Sequence, residues 1–597
     1  MQHPTRWIAL TVLCTATPLC ASTFLDRPSN DTFRVATYNV LTDSPFTGTA
    51  VRQASFDRLI TAINADIFNF QETYNTTAAT VQARLNTVLP LPGGASWNVY
   101  KGGFENIIAS RYTISKTNAV TDSYSHQTAA GLINLPDATF PTDVYLLNMH
   151  LKAFSGATYQ LQRQVQAEAA IAKANAMRRA GATSGIAVGT PIIALGDLNL
   201  VDTPEPLQSL ATGNITQYAT YGANSPPDWD GTANTIATLP QNAATGGAEW
   251  TWRDDTGSYA PSRLDYVTYS DSRLELVRGF TLNTMAMSAA DLAATGLQSG
   301  DSAAVNAATN SFDHIPLVAD FRVRTDGVIT ARWLATGTGA TTWGTNTRWS
   351  TSVVPSASIP ALVDNGSVTL VEVASNATAA SLYLSAGGEF RVDSGIALTL
   401  GGALTINPTP ALATQSITGS GVIVAKSINI QNAFALSGSI LIDNAVGASA
   451  LTTLNSAIAS GQITVPAGAS TASGLAIVDS STLNIASFKG VPLDGSYTIL
   501  SFAKLGDANL DSSVNFNDLL LLAAHYGETS NTNWAYGDFD RNGTVNFGDL
   551  LSLAGNYGAT STNFAADWAM AQSLVPEPGM IGLTGVGLTI ALRRRPR

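Results

Sequence analysis

At 597 residues the chain is too long for one ordinary core, and the usual domain size divides it into roughly three to five units. Its net charge of −12 and pI near 4.9 exclude a global attraction to nucleic acid or anionic membrane, so a phosphate-bearing substrate has to be held locally, for example by a metal. Only 12% of residues are charged, the texture of an exported β-rich protein rather than a cytosolic helical one.

Residues 1–22, MQHPTRWIALTVLCTATPLCAS, combine a basic start at Arg6, an apolar run from Trp7 to Leu19 and small residues at Ala21 and Ser22. They read as a signal peptide. Cys14 and Cys20 both lie inside it, so cleavage near Ala21 leaves a mature chain with neither disulfides nor thiolate metal sites.

From 24 to 325, strand-like runs such as FRVATYNVL, DVYLLNMHL and PIIALGDLNL alternate with helical stretches such as YQLQRQVQAEAAIAKANAMRRA, which predicts a mixed α/β domain. Polar residues interrupt the strand ends. Asn39 follows FRVATY, Glu72 follows DIFNFQ, and His150 ends DVYLLNMH with Lys152 close behind. Asp197 and Asn199 end PIIALGDLN, Asp265 sits in SRLDYVTY, and Asp313-His314 precede IPLVADF. Each alone reads as a turn former, a strand leaving the core or a hydrogen-bonded structural histidine. Asp197 and Asn199, two apart in extended chain, point to the same side.

Taken together and in order, YNV, FQE, NMHL, GDLN, RLDYV and DHIPL resemble the endonuclease/exonuclease/phosphatase superfamily, which includes deoxyribonuclease I, over residues 30 to 323. The resemblance implies an α/β four-layer sandwich, two mainly antiparallel sheets face to face with helices outside. It implies a divalent cation, Mg²⁺ or Mn²⁺, on Glu72 and Asp313, with Asn39 fixing the Glu72 carboxylate and contacting substrate. Asp197 would deprotonate the attacking water, and Asn199 would donate to the transition state. His314, held by Asp265, and His150 would serve phosphate and leaving oxygen, with Lys152 as a further cation. ENIIASRYTI offers Asn106 and Arg111 as supports. The substrate stays open between nucleic acid, as first reading, and a sphingomyelinase-like or phosphatase substrate, and a non-catalytic adhesion scaffold remains the alternative class. Acids outnumber bases in 24–325, a poor footprint for broad duplex binding. Trp229, Trp250 and Trp252, in the long insert before SRLDYV, read as loop packing or as contacts to a base or lipid.

From 326 to 501 short Val/Ile/Leu/Thr runs punctuated by Gly, Asn and Ser predict a β-solenoid or sandwich, with one short helix at 450–460. In 505–560, GDANLDSSVNFNDLLLLAAHYG recurs after 31 residues as GDFDRNGTVNFGDLLSLAGNYG. Asp507, Asn509, Asp511, Asn515 and Asp518 occupy positions 1, 3, 5, 9 and 12 of a calcium loop, with Ser513 supplying a carbonyl at position 7. Asp538, Asp540, Asn542, Thr544, Asn546 and Asp549 repeat the set. The pair resembles type I dockerin repeats, which implies calcium and a cohesin-like partner. Phe516-Asn517 and Phe547-Gly548 replace the Ser/Thr pair often used in cohesin recognition, and Ser512 replaces the turn glycine of the first loop. Residues 574–597, with Pro576-Glu577-Pro578, an apolar run too short for a full span and a closing Arg cluster, resemble a PEP-CTERM sorting tail. That implies export, cleavage by a sorting protease, and retention at the surface or in the exopolysaccharide matrix of a Gram-negative bacterium.

Overall fold

A computed structural model describes residues 23–574 apart from 123, 125–126, 255–256, 258, 303–311, 328, 335–336, 365–367, 386, 409–414, 445–449, 484, 531 and 559–563. The expected signal peptide, both cysteines and the sorting tail lie outside the described residues. Among the described residues no helix is long and apolar enough to cross a membrane.

The first region is built on β1 (Thr32–Asn39), β2 (Ile67–Gln71), β3 (Asn98–Gly102), β4 (Asn106–Ser110), β5 (Ile114–Val120), β6 (Thr128–Ile133), β7 (Val144–His150), β8 (Ile192–Asp197), β9 (Thr235–Ile236), β10 (Asp265–Tyr269), β11 (Leu274–Thr281) and β12 (Leu317–Val323). They form two six-stranded sheets, ordered β11-β12-β1-β2-β4-β3 and β5-β6-β7-β8-β10-β9. Each is mainly antiparallel with one parallel pair, β1–β2 and β7–β8. A parallel pair needs a crossover, and helices Ala50–Ile63 and Ala157–Ser184 supply the two.

Side-chain alternation separates the layers. Phe33, Val35, Ile67, Ile108, Val144, Leu146, Ile193, Leu195 and Val267 meet between the sheets. The opposite parity of the first sheet, including Ala36, Tyr38, Phe68 and Phe70, packs on Phe56, Leu59, Ile60, Val81 and Leu85 of helices Ala50–Ile63 and Ala78–Val88. Tyr145, Leu147, Ile192 and Ala194 pack on Ala167, Ala170, Ile171 and Ala174 of the long helix. Helix, sheet, sheet, helix is the expected four-layer order.

The β-rich region is a solenoid rather than a sandwich. Its strands from 331 to 464 pair in parallel into three sheets, and like residues stack rung upon rung. Ala361, Leu382, Leu404 and Ile428 form one column, and Val371, Phe390, Ile417 and Leu436 another. These side chains, almost all buried, leave no place for charge at the inward positions of the two columns. Strand Ser439–Asp443 pairs antiparallel with Tyr497–Lys504, which ends the parallel stack. The short helix runs Leu451–Ala459. Leu519, Leu522, Trp534 and Leu553 of the duplicated segment pack against Ala476, Val478 and Ile499 at that end. Buried Arg332 joins the other end to the α/β region, with Nη1 2.8 Å from Asp364 and Nη2 donating to Ser225 Oγ at 3.0 Å.

Candidate active site

The parallel pairs explain why scattered polar residues meet. β1 and β2 end together, Asn39 beside Gln71, and β7 and β8 end together, His150 beside Asp197. The antiparallel neighbours β4, β10 and β12 begin at that same edge, so Asn106, Asp265 and the Asp313-His314 pair join them. Asn39, Gln71, Asn148, His150, Asp197 and Asp265 share parity with the apolar residues between the sheets, so their side chains point into the same gap. Gly196 has no substitute here, because a Cβ would lie 1.9 Å from the Met149 carbonyl oxygen.

Asp197 is central. Its Oδ2 accepts from Asn39 Nδ2 at 3.0 Å and faces His314 Nε2 at 3.5 Å and His150 Nε2 at 3.7 Å. Each imidazole has its own carboxylate: His314 Nδ1 is 2.7 Å from Asp265 Oδ2, and His150 Nδ1 is 3.0 Å from Glu105 Oε2. Thr251 Oγ1 donates to Asp265 Oδ2 at 2.7 Å. Asn199 lies past the end of β8 with φ of +48°, so strand alternation does not place it as expected; its N donates to Asp197 Oδ1 at 2.9 Å, and its Nδ2 donates to the Leu151 carbonyl at 3.0 Å, which leaves its second amide hydrogen for a ligand.

The charges follow from burial and partners. Burial pushes the Asp197 carboxyl up to about 6, against the pull of His314 and His150. Burial would lower His150, but Glu105 more than offsets it and raises the imidazole to about 9. His314 rises well above the usual imidazole range because Asp265 and Asp197 outweigh its burial. At neutral pH the arrangement is one carboxylate between two imidazolium rings.

Glu72 follows β2 with φ of +60°, a strained conformation for a non-glycine residue. Its Oε1 accepts from Asn39 Nδ2 at 3.0 Å and its Oε2 from Thr42 N at 2.9 Å. Asp313 Oδ2 accepts from Trp252 Nε1 at 3.3 Å, while its Oδ1 is buried without a protein partner. Burial raises the Asp313 carboxyl, and Glu72 nearby raises it further. The buried, partnerless oxygen of Asp313 is the kind of donor a hard divalent cation takes. Asp197, Asp265 and His314 also lie within 4.8 Å of one another. Both nitrogens of His314 already face carboxylates there, so a cation would have to displace the imidazole proton, and the geometry favours the hydrogen-bonded set.

Residues 36–286 match the model of the Endonuclease/Exonuclease/phosphatase family. The first region is a domain of that family. The chain is accordingly a metal-dependent phosphoric ester hydrolase. The match stops short of Asp313 and His314, which the fold nevertheless brings to Asp197. Residues 505–556 match the Dockerin type I domain. No curated protein matches the chain. Similar solved structures include truncated Caenorhabditis elegans TDP2, at 16% identity over 49% of this chain and 98% of that one with a TM-score of 0.31. Others are the human Nocturnin catalytic domain with bound sulfate, at 14% over 50% and 96% with 0.32, and ANGEL2, a 2',3'-cyclic phosphatase, in complex with adenosine-2',3'-vanadate, at 17% over 50% and 98% with 0.34. At such identities and scores they carry no functional weight.

Four residues of the hydrolase site escaped sequence reading: Glu105, Gln71, Asn148 and Thr251. Gln71 Nε2 donates to Thr37 Oγ1 at 2.9 Å and to Asn148 Oδ1 at 2.5 Å, and Asn148 Nδ2 donates to the Phe70 and Ile107 carbonyls. These amides tie the two sheets beneath the site. Their signal was available, polar residues at inward parity in buried strands. Arg111, expected as a support, stands at the opposite end of β4, bonded to Ala65 O and Asn64 Oδ1, because five extended residues separate it from Asn106. Trp229 is buried against Arg178, and Trp252 walls the site through Asp313.

The dockerin loops repeat one geometry. Asp518 Oδ1 accepts from Ala508 N and Asn509 N, as Asp549 Oδ1 does from Phe539 N and Asp540 N. Asp511, Asn515, Asn542, Thr544 and Asn546 line the turns through short-range bonds such as Ser513 N to Asp511 Oδ1 at 2.8 Å. Asp507 Oδ1 and Asp538 Oδ1 are buried with no protein partner among the described residues, and Asp538, Asp540 and Asp549 each bring a carboxylate oxygen within 4.8 Å of the others. Burial raises Asp507 to about 7 and Asp518 to about 6, with Asp518 also repelling Asp507. Crowded, partnerless carboxylate oxygens are what calcium satisfies.

Proposed function

We propose that the protein is an exported phosphodiesterase, a nuclease, in which Asp197 takes the proton of the attacking water. The observation that carries this reading is Asp197 held between two imidazole–carboxylate pairs, His314–Asp265 and His150–Glu105. Ionised above about pH 6, Asp197 is the base, and His150, protonated up to about pH 9, is the acid for the leaving oxygen. The His314 imidazolium and the free hydrogen of Asn199 meet charge developing on the phosphoryl oxygens. Glu72 and Asp313 would hold Mg²⁺ or Mn²⁺, which neutralises phosphate charge when bound.

The repeats would bind calcium and dock a cohesin-like partner, for which Phe547 and Leu551, one helical turn apart and both exposed, offer an apolar face. Export and surface retention rest on residues 1–22 and 574–597, and the mass of the mature protein tests both cleavages. The deciding assay gives the full chain plasmid DNA, RNA, bis-p-nitrophenyl phosphate and sphingomyelin with each metal. Asp197→Ala and His314→Ala should both be inactive on the preferred substrate; activity persisting in either sinks the mechanism. Sphingomyelin cleaved best would move the protein to the lipid branch.

A further inference from the structure

The loop that leaves His150 and the first turn of helix Ala157–Ser184 carry rings where the fold has no use for them. Phe154 is 68% exposed and Tyr159 36%, with ring centroids 5.8 Å apart. Lys152 Nζ lies 5.5 and 5.6 Å from the two ring centres, rather than on the catalytic carboxylates. Phe154 has φ of +76°, a left-handed conformation that a bulky residue adopts only under constraint. The constraint comes from below. Buried Arg163 donates Nη1 to the Lys152 carbonyl at 2.9 Å and to the Phe154 carbonyl at 2.7 Å, and it pairs with Asp202, which also accepts from Gly156 N at 3.0 Å.

A second pair stands on the other sheet. Tyr74, two residues past Glu72, and Phe104, which immediately precedes Glu105, have ring centroids 5.5 Å apart, and Phe104 is 59% exposed. Tyr74, Phe104 and Phe154 therefore grow from loops that leave or enter the strand edge of the site, and Tyr159 stands on the helix turn beside Phe154. Phe154 lies four positions past His150, at most about 14 Å of extended chain, the reach of a few stacked nucleotide steps.

We propose that the two ring pairs are base-stacking subsites, one from each sheet, and that the substrate is single-stranded nucleic acid whose unpaired bases lie on them. This rests on the phosphodiesterase reading above. Ring faces accept any unpaired base, whereas a duplex keeps its base faces stacked on one another. The acidic domain lacks the broad cationic surface on which duplex binding depends. Aromatic faces also attract choline, but the Lys152 ammonium already sits over both rings, where it repels a second cation and draws a phosphate. A sugar phosphate offers no aromatic face to stack.

The test measures kcat/KM of the full chain with Mg²⁺ on a single-stranded oligonucleotide, the same strand carrying abasic sites, its duplex, and sphingomyelin vesicles. The base-bearing single strand should be the best substrate. In Phe154→Ala its advantage over the abasic strand should fall on the order of 10-fold, mostly through KM, and Phe154→Trp should keep it. Phe104→Ala gives a second reading from the other sheet. Equal rates on base-bearing and abasic strands, an unchanged advantage in both alanine variants, or a preference for duplex or sphingomyelin overturns the proposal. Failure to cleave any phosphodiester would instead overturn the underlying reading.

Discussion

The carboxylate-lined strand edge and the dockerin loops both crowd carboxylates together, yet they assemble by opposite routes. Each calcium loop draws its ligands from twelve consecutive residues, and its last ligand caps the helix that follows, as Asp518 and Asp549 do through Asn515 N and Asn546 N. The catalytic edge draws on residues from Asn39 to His314, joined by strand pairing and sheet packing. A local site depends on its ion for order, whereas a non-local one inherits order from two sheets and an apolar core. The two should therefore answer differently to the same perturbations.

The largest difference lies in chemistry. Asp197→Asn should lower kcat on the order of 10²- to 10⁴-fold, as expected for loss of a general base, without shifting the thermal transition of the calcium repeats. Steady-state kinetics with calorimetry on the same sample checks both halves. Next comes calcium removal. Chelation should destabilise the repeats by about 3–4 kcal/mol relative to saturating calcium, while hydrogen exchange in β1, β2, β7 and β8 stays unchanged. The pH dependence of the calcium-free repeats has a defined sign. Asp507 and Asp518 have folded values raised above the ordinary 3.8, so their contribution is present below about pH 4 and lost as pH rises through 6 to 7. Calcium should abolish that loss in thermal melts across the range.

A smaller effect separates the two imidazoles. With Asp197 as base and His150 as acid, kcat/KM should rise through about pH 6 and fall through about pH 9. Glu105→Gln removes the carboxylate that raises His150, so the falling limb should move below 9 while the rising limb stays; a pH profile in which neither moves rejects His150 as the acid. The smallest effect is conformational. Ser512 sits at φ of +76° where the second loop has Gly543 at +85°. Ser512→Gly should stabilise the calcium-bound first loop by about 1 kcal/mol, and Gly543→Ser should weaken the second. Titration of each variant with calcium reads this directly.

The same contrast governs what could be read in advance. The dockerin repeats were legible as a duplication, because oxygen side chains at fixed spacing in one loop are a sequence pattern. The polar residues that meet at the strand edge were legible as interruptions at strand ends. Glu105 was not: it immediately precedes β4 in a run that looked like plain strand, and it becomes a partner of His150 only when the second sheet packs across the first. Arg111 shows the converse, since nearness to a motif in sequence placed it at the wrong end of a strand.

By itself the sequence determined the alternation that puts Asn39, His150, Asp197 and Asp265 on inward faces, the rung periodicity of the solenoid, and the two calcium loops. All of these depend on backbone repeat and neighbouring residues. Tertiary structure alone decided which carboxylate each imidazole meets, the amide layer of Gln71 and Asn148 beneath the site, the choice of solenoid over sandwich, and the exposed rings of Phe154 and Phe104. Those depend on which strands become neighbours, and pairing partners tens to hundreds of residues apart are selected by burial of the whole core rather than by any short stretch of chain.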